Sequence, residues 1–167
     1  WPRPELVVLT IQKEVAQRIV AKPPKSNLLA VSIQYFSEPK IIRYVSKNSF
    51  RPAPKVDSAI LYIKPRENKQ MSEEFDRDFF KIVGGGFSEK RKQLANSLSS
   101  SLKIPKPVIE KILKSAGVES SRRAETIIIN EWKEITTSLP PGRRILSACG
   151  STSSIFSNSS LTAMRSA

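Results

Sequence analysis

The sequence contains no histidine and only one cysteine, Cys149, among its 167 residues. Without these residue types the chain cannot build the usual His and Cys zinc sites or a histidine-based catalytic triad. A single cysteine also excludes an internal disulfide framework and is typical of a reducing compartment. We therefore expect a cytoplasmic protein that binds no metal.

Long hydrophobic runs are also missing. No apolar stretch approaches the ~20 residues that a helix needs to span a bilayer, and no signal peptide is visible. The sequence therefore predicts no membrane-spanning helix. The chain begins with Trp1 rather than Met, which predicts a fragment of a longer protein.

Acidic residues are scarce relative to basic ones. Asp and Glu number 15 against 28 Lys and Arg, which gives a formal charge of +13. This excess attracts polyanions, so nucleic acid or an anionic membrane is the first partner to test. The alternative is a solvated basic surface without a partner.

The first 66 residues mix two hydrophobic periods. Short β-branched runs alternate with segments of helical spacing, and the apolar run at 28–36 is ambiguous but favours a helix. The pattern predicts strands at 5–11, 40–46 and 58–64 and helices at 12–21 and 28–36. The last two strands should pair antiparallel across a proline-rich loop, with Ala59, Leu61 and Ile63 on one face. We interpret this part as the closing portion of an α/β sheet.

Residues 67–139 are helical in pattern. Four amphipathic segments with a shared apolar face predict a small bundle-like domain, with helices at 72–83, 88–102, 105–117 and 130–139. Ser72, Ser88 and Asn130 are the predicted N-caps. From Pro140 onward the chain is rich in serine and has no sustained period, so we expect a disordered tail over 140–167.

Three consecutive glycines at 84–86 suggest a phosphate-binding loop. No strand precedes them and no Gly-Lys-Ser follows, so the motif fails its structural context. The glycines are predicted to end one helix and turn the chain into the next.

Basic residues concentrate in the helical part. Residues 87–123 hold nine basic and three acidic side chains. Lys90, Arg91 and Lys92 fall in the first turns of the predicted helix 88–102, where the helix dipole disfavours positive charge by ~0.3–1 kcal/mol each. This placement suggests a polyanion partner, while a solvated helix face explains the cluster equally well.

The segment "SFRPAPKVDSAILYIKP" (49–65) places an aromatic ring on a stiff loop directly before a strand. Pro52 and Pro54 fix their own φ angles and favour extended geometry in the preceding residues. Phe50 could plug the core or form a stacking platform, and a base stacked on an aromatic ring gains ~1–3 kcal/mol. The residues alone favour the core plug.

Three motifs carry a family resemblance. "FRPAPKVDSAI" (50–60), "FSEKRKQLANSL" (87–98) and "SSRRAETI" (120–127) resemble, in order and spacing, the second half of the ribosomal RNA adenine dimethyltransferases. "LTIQKEVAQRIVA" is similar to the strand and helix that follow that family's catalytic loop. The resemblance covers about residues 5–139.

The resemblance implies an enzyme that transfers methyl groups from S-adenosylmethionine to adenines of small-subunit ribosomal RNA. The implied fold is α/β: residues 1–66 form the C-terminal part of a Rossmann-like methyltransferase sheet, and a small all-α, RNA-engaging domain follows over 67–139. The implied partner is small-subunit ribosomal RNA in a pre-30S particle, bound by a monomer, with no membrane and no metal as partner.

The resemblance also implies roles for individual residues. The aromatic matching Phe50 stacks on the extruded adenine. Basic residues of the loop and of the helical domain are expected to contact RNA: Lys55, Lys90, Arg91, Lys92, Arg122 and Arg123. Arg123 and Glu125 lie in a recurring Arg-Ala-Glu turn, where we expect structural pairing first and RNA contact second.

Departures from the family pattern limit what this chain does alone. The glycine-rich cofactor loop, the acidic residue that holds the ribose and the Asn-Leu-Pro-Tyr catalytic loop are expected before Trp1. We therefore expect this fragment to bind no S-adenosylmethionine by itself and to be inactive. Two alternatives stay open: a non-catalytic RNA- or DNA-binding module, and the resistance branch that methylates large-subunit RNA, whose members tend to carry Asn where this chain has Asp57.

Overall fold

The computed structural model describes residues 4–66 and 71–139. A three-stranded sheet with two helices comes first: β1 (Val7–Gln12), α1 (Lys13–Ile19), α2 (Leu28–Phe36), β2 (Ser37–Val45) and β3 (Ser58–Pro65). Four helices follow: α3 (Glu73–Phe87), α4 (Leu94–Leu102), α5 (Lys106–Ser115) and α6 (Ile129–Ser138). Each predicted strand and helix is present, and 28–36 is a helix; the predicted tail lies outside the described residues.

The sheet is antiparallel, with the order β1-β3-β2. The predicted pairing of the last two strands is confirmed, and β3 also pairs with β1, with Gln12 opposite Ser58. Ala59 and Leu61 are fully buried against α1, and Ile63 packs at the edge of the same cluster, as the alternation predicts. The end of β1, the end of β2 and the start of β3 therefore meet at one end of the sheet.

Side-chain amides hold α1 and α2 together. Asn27 caps α2 by accepting a hydrogen bond from the Ala30 N–H at 3.0 Å. The Gln34 amide donates to the Ile19 carbonyl at 2.8 Å and to the Ala21 carbonyl at 2.9 Å, which satisfies carbonyls near the end of α1. These bonds fix the helix pair that covers the sheet.

The four later helices share one core, as predicted. Trp132, Phe79, Leu94 and Leu113 are fully buried in it. Ser72 caps α3, because its hydroxyl accepts from the Phe75 N–H at 3.2 Å. The apolar stripes of the helices therefore meet as the bundle prediction requires.

The prediction that the glycines at 84–86 end a helix is wrong. Helix α3 continues through them to Phe87. A Cβ at Gly86 would collide with the ring of Trp132, and one at Gly85 would lie 2.9 Å from Ser101 Oγ. These two glycines allow α3 to pack closely against α4 and α6, at the helix-propensity cost of glycine.

Two predicted caps are also wrong. Helix α4 begins at Leu94 rather than near Ser88, with Gln93 in the N-cap position. Helix α6 begins at Ile129, ahead of Asn130, and Glu131 accepts a hydrogen bond from the Ile128 N–H at 2.8 Å. In the second case a first-turn carboxylate replaces the expected capping amide.

The sheet part and the helical part are packed against each other through α2 and α3. The Tyr35 ring stacks on Phe79 with a centroid distance of 4.2 Å, and its hydroxyl donates to Asp76 Oδ1 at 2.7 Å. Burial, and to a smaller extent the hydrogen bond to Asp76, raise the pKa of Tyr35 above its usual value.

Among residues 4–66 and 71–139, no helix combines the length and apolar character that a bilayer crossing requires.

Candidate nucleic-acid interface

The loop between β2 and β3 leaves Phe50 only partly buried. A 3₁₀ turn (Lys47–Ser49) opens the loop, capped by Ser46, whose hydroxyl accepts from the Asn48 N–H at 3.3 Å. The Phe50 N–H then donates to the Lys47 carbonyl at 3.3 Å. The ring is half-buried, so it does not fill the core as a fully enclosed plug would.

Asp57 holds the base of this loop. Its Oδ1 accepts from the Lys47 N–H at 3.1 Å, and its Oδ2 lies 3.8 Å from Lys13 Nζ. Its carbonyl accepts from the Lys13 N–H at 3.0 Å. One residue therefore connects the first residue of α1 with the 3₁₀ turn that precedes Phe50.

A shallow cleft of about 370 Å³ lies beside the loop. Lys13, Lys47 and Lys55 line it together with Glu14 and Asp57. Lys55 was a sequence-based candidate, whereas Lys13 and Lys47 were not. Phe50 lies on the same loop, between Lys47 and Lys55 in sequence, and is not one of the residues that line the cleft. We call Lys13, Lys47, Phe50 and Lys55 the loop cluster.

The basic triplet of the helical part lies in a turn, which corrects its predicted place inside a helix. Residues 88–93 connect α3 to α4, so Lys90, Arg91 and Lys92 precede the helix. The dipole argument for their placement therefore fails. Lys92 pairs with Glu89, and that hydrogen bond and its charge lower the pKa of Glu89. Lys90 and Arg91 are exposed and form no ion pair with the part of the chain that the structure describes.

Backbone bonds bring the Arg-Ala-Glu segment to the same place. The Leu94 N–H at the start of α4 donates to the Arg122 carbonyl at 2.8 Å, and the Ala95 N–H donates to the Ser120 carbonyl at 3.4 Å. Orphan donors of the first turn are thereby satisfied from another segment. We call the resulting group the helical cluster: Lys90, Arg91, Lys92, Arg122 and Arg123.

Arg122 is largely occupied by internal bonds. Its guanidinium forms a two-point pair with Glu131 and donates to the Thr126 carbonyl. Burial alone raises the pKa of Glu131, but hydrogen bonds from Arg122 and the Ile128 N–H, with the Arg122 charge, lower it overall. Arg123 is exposed and lies 3.9 Å from Glu125, so this predicted pair is present but weak.

The glycines of the described residues do not form a cofactor cradle. Gly85 and Gly86 serve helix packing, and Gly117, with φ of 69°, follows the end of α5. Within residues 4–66 and 71–139 there is no cluster of His, Cys, Asp and Glu that could hold a metal ion. The glycines here do not fit a nucleotide-like cofactor.

The chain matches a known protein family over most of its length. The model of the family described as "Ribosomal RNA adenine dimethylase" covers residues 2–139. "Ribosomal RNA small subunit methyltransferase A" from Dehalococcoides mccartyi is 42% identical over 133 residues, which are 80% of this chain and 46% of that protein. The protein of the same name from Bacillus pumilus is 36% identical over 138 residues, or 80% of this chain and 47% of that protein. The chain therefore spans about half the length of the curated relatives it matches.

Solved structures share the fold. A dimethyladenosine transferase from Plasmodium falciparum gives a TM-score of 0.67 at 22% identity, covering 78% of this chain and 56% of that one. The 23S rRNA methyltransferase ErmE gives 0.61 at 23% identity, covering 81% and 55%. The resemblance carried by the three motifs is confirmed by the family match: the chain belongs to the ribosomal RNA adenine dimethylase family.

Proposed function

We propose that this chain is part of an enzyme that dimethylates adenines of small-subunit ribosomal RNA, using S-adenosylmethionine as the methyl donor. Its role in that enzyme is to hold RNA. The single observation that carries the proposal is the half-buried Phe50 on a loop fixed by Asp57, since two other residues of that loop, Lys47 and Lys55, line a basic cleft together with Lys13. Residues 1–66 would belong to the catalytic domain and residues 67–139 to the RNA-engaging domain.

The loop cluster has the parts needed to receive an extruded base. A half-buried aromatic ring keeps one face for packing and offers the remainder for stacking, which is worth ~1–3 kcal/mol per base. Lys13, Lys47 and Lys55 lie close enough to the cleft to attract the phosphates that flank such a base. Glu14 and Asp57 lower the net charge of the cleft and weaken this attraction, so the phosphates would have to lie closer to the lysines than to the carboxylates.

The helical cluster supports a second contact, with the RNA backbone. Lys90, Arg91 and Arg123 are exposed, and Lys90 and Arg91 make no ion pair with the residues that the structure describes. Arg122 has a different role in this proposal, because its guanidinium already forms an ion pair with Glu131. It positions the segment that carries Arg123.

The methyl donor needs a binding site that this chain does not supply in the proposal. The described glycines do not fit the cofactor, so the groups that bind and orient it would lie in the portion of the enzyme that this sequence does not include. We propose that the chain alone does not methylate RNA. The names of the curated relatives support the small-subunit branch over the large-subunit alternative.

Stacking is tested with the pair Phe50→Leu and Phe50→Trp. Leucine preserves apolar packing but removes the aromatic face, whereas tryptophan preserves that face. We expect Phe50→Leu to weaken binding of a hairpin with 2-aminopurine in its loop by about 5- to 150-fold, and Phe50→Trp to retain it. Fluorescence of the 2-aminopurine reports the stack, and urea unfolding shows whether both variants stay folded. Equal affinity of both variants and the unsubstituted chain would refute the stacking role.

Phosphate contact is tested by salt dependence. Lys90→Gln with Arg91→Gln should reduce the slope of log affinity against log salt by roughly 0.7 for each phosphate of single-stranded RNA that is no longer neutralised. Lys40→Gln with Lys64→Gln removes the same charge from β2 and β3 and serves as the matched control. A slope that changes equally in both pairs would assign the effect to net charge rather than to the helical cluster.

A further inference from the structure

Asp57 makes contacts that reach the backbone of Phe50 through one intermediate residue. We propose that Asp57 is a positioning residue that sets the orientation of the Phe50 ring before RNA arrives. The inference deepens the proposed function and rests on it for its RNA consequence. The effect of Asp57 on the orientation of residue 50 does not depend on any ligand and can be measured without RNA.

The path consists of two hydrogen bonds. Asp57 Oδ1 accepts from the Lys47 N–H at 3.1 Å. The carbonyl of that same Lys47 accepts from the Phe50 N–H at 3.3 Å. Lys47 is therefore held at its N–H by Asp57 and holds Phe50 at its carbonyl, so the 3₁₀ turn is fixed at both ends.

A carboxylate suits this position because two different donors approach it. Lys47 uses Oδ1, while Lys13 Nζ lies 3.8 Å from Oδ2 and 5.4 Å from the centroid of the Tyr44 ring. Lys13 is the first residue of α1, and its N–H also donates to the Asp57 carbonyl at 3.0 Å. Asp57 thus ties the loop to a helix that packs on the sheet core.

An exposed ion pair alone would hold the loop poorly. The side chains of Lys13 and Asp57 are 42% and 43% exposed, where a lone pair contributes little. The arrangement is effective because the ion pair is combined with two backbone-directed bonds. An asparagine would keep the Lys47 bond and lose the charge opposite Lys13.

The substitutions follow from these contacts. Asp57→Ala removes both side-chain contacts, Asp57→Asn removes only the ion pair, and Lys13→Gln removes the same ion pair from the other side. Glu14→Gln is the matched control, since it removes a carboxylate that lines the same cleft. Each is made in the full chain carrying Phe50→Trp and Trp1→Phe and labelled with 5-fluorotryptophan, so that only positions 50 and 132 carry the label.

The first readout, taken without RNA, is the ¹⁹F resonance of the tryptophan introduced at position 50. We expect it to shift toward the value of the urea-unfolded chain in Asp57→Ala, to shift less in Asp57→Asn and Lys13→Gln, and to stay in place in Glu14→Gln. The resonance of the buried Trp132 reports that each variant is folded. An unchanged position-50 resonance in both Asp57 variants would overturn the proposal.

The second readout is affinity for the 2-aminopurine hairpin. Because an unfixed ring must be ordered on binding, Asp57→Ala should bind about 2- to 10-fold more weakly. If the position-50 resonance shifts but Phe50→Leu binds RNA normally, the positioning role stands and the stacking function fails. If Phe50→Leu weakens binding while the position-50 resonance never shifts, the stacking function stands and the positioning role is refuted.

Discussion

Replacing the glycines of α3 one at a time by alanine separates helix packing from helix propensity. Gly84, Gly85 and Gly86 follow one another on the same helix, so the propensity gain is similar at each, about 0.5–1 kcal/mol. Their surroundings differ. A Cβ at Gly84 meets nothing within 4 Å, whereas one at Gly86 collides with the Trp132 ring and lies 3.2 Å from Leu94 Cδ1.

The expected magnitudes follow from these contacts. Gly84→Ala should stabilise the protein by about 0.5–1 kcal/mol, since nothing opposes the propensity gain. Gly86→Ala should cost about 1–3 kcal/mol for overpacking, because Trp132 is fully buried and has no room to withdraw. Gly85→Ala should be close to neutral, since Ser101 is exposed and its Oγ can rotate away, while its Cβ stays 3.2 Å from the new methyl group and offsets part of the propensity gain.

Urea unfolding followed by circular dichroism at 222 nm measures these differences, with thermal unfolding as a second probe. For a chain of this size, 1 kcal/mol corresponds to a shift of about 2–4 °C in Tm. The order of stability should be Gly84→Ala above the unsubstituted chain and Gly86→Ala below it. If Gly86→Ala proved as stable as Gly84→Ala, the contact between α3 and Trp132 would be wrong.

Two further predictions concern buried polar contacts. Because the pKa of Glu131 is lowered in the folded state, its contribution to stability is present above the ordinary value of 4.5 and is lost as pH falls through the lower folded-state pKa. Glu131→Gln should therefore make stability less dependent on pH below about 4.5 in urea titrations, and an unchanged dependence would argue against the Arg122 pair. Tyr35→Phe removes a hydrogen bond to a charged partner, Asp76, and should cost about 1.5–3 kcal/mol in the same assay. A cost below about 0.5 kcal/mol would mean that the stacked ring, and not its hydroxyl, joins the two parts.

Local patterns predicted the helices and strands because the hydrophobic period of each one depends only on its own residues. Alternation in β3 indicated the buried face of Ala59 and Leu61, and Ser72 marked the start of α3. The place of β3 between β1 and β2 was not predicted, since strand order depends on contacts between distant segments. The glycines at 84–86 were misread for the same reason: locally they resemble a helix stop, and only Trp132, far along the chain, explains them.

Some residues of the candidate site were also predicted from the sequence, and others were not. Phe50 was singled out because a ring on a stiff loop is a local signal, and Lys55 because of the family resemblance; the contact of both with RNA stays a prediction. Lys13 was missed, since it joins the site only when the end of β1 meets the start of β3. Lys47 was also missed, although it lies on the same loop, three residues before Phe50. A lysine placed directly after a strand is the signal that could have drawn attention to Lys13.

The relation between the two basic clusters follows from how the sheet part and the helical part are joined. Val31 of α2 is buried in the core of the helical part, and the Ser26 N–H donates to the Glu125 carbonyl at 3.1 Å. With the Tyr35–Asp76 bond, these contacts leave no free hinge between the described parts. The loop cluster and the helical cluster should therefore keep a fixed separation. Under the proposed function, an RNA would reach both only if it presented an unstacked base and its backbone at that spacing. A chain joined in this way should unfold in one transition, with the fluorescence of Trp132, measured in a chain carrying Trp1→Phe, and circular dichroism giving the same midpoint.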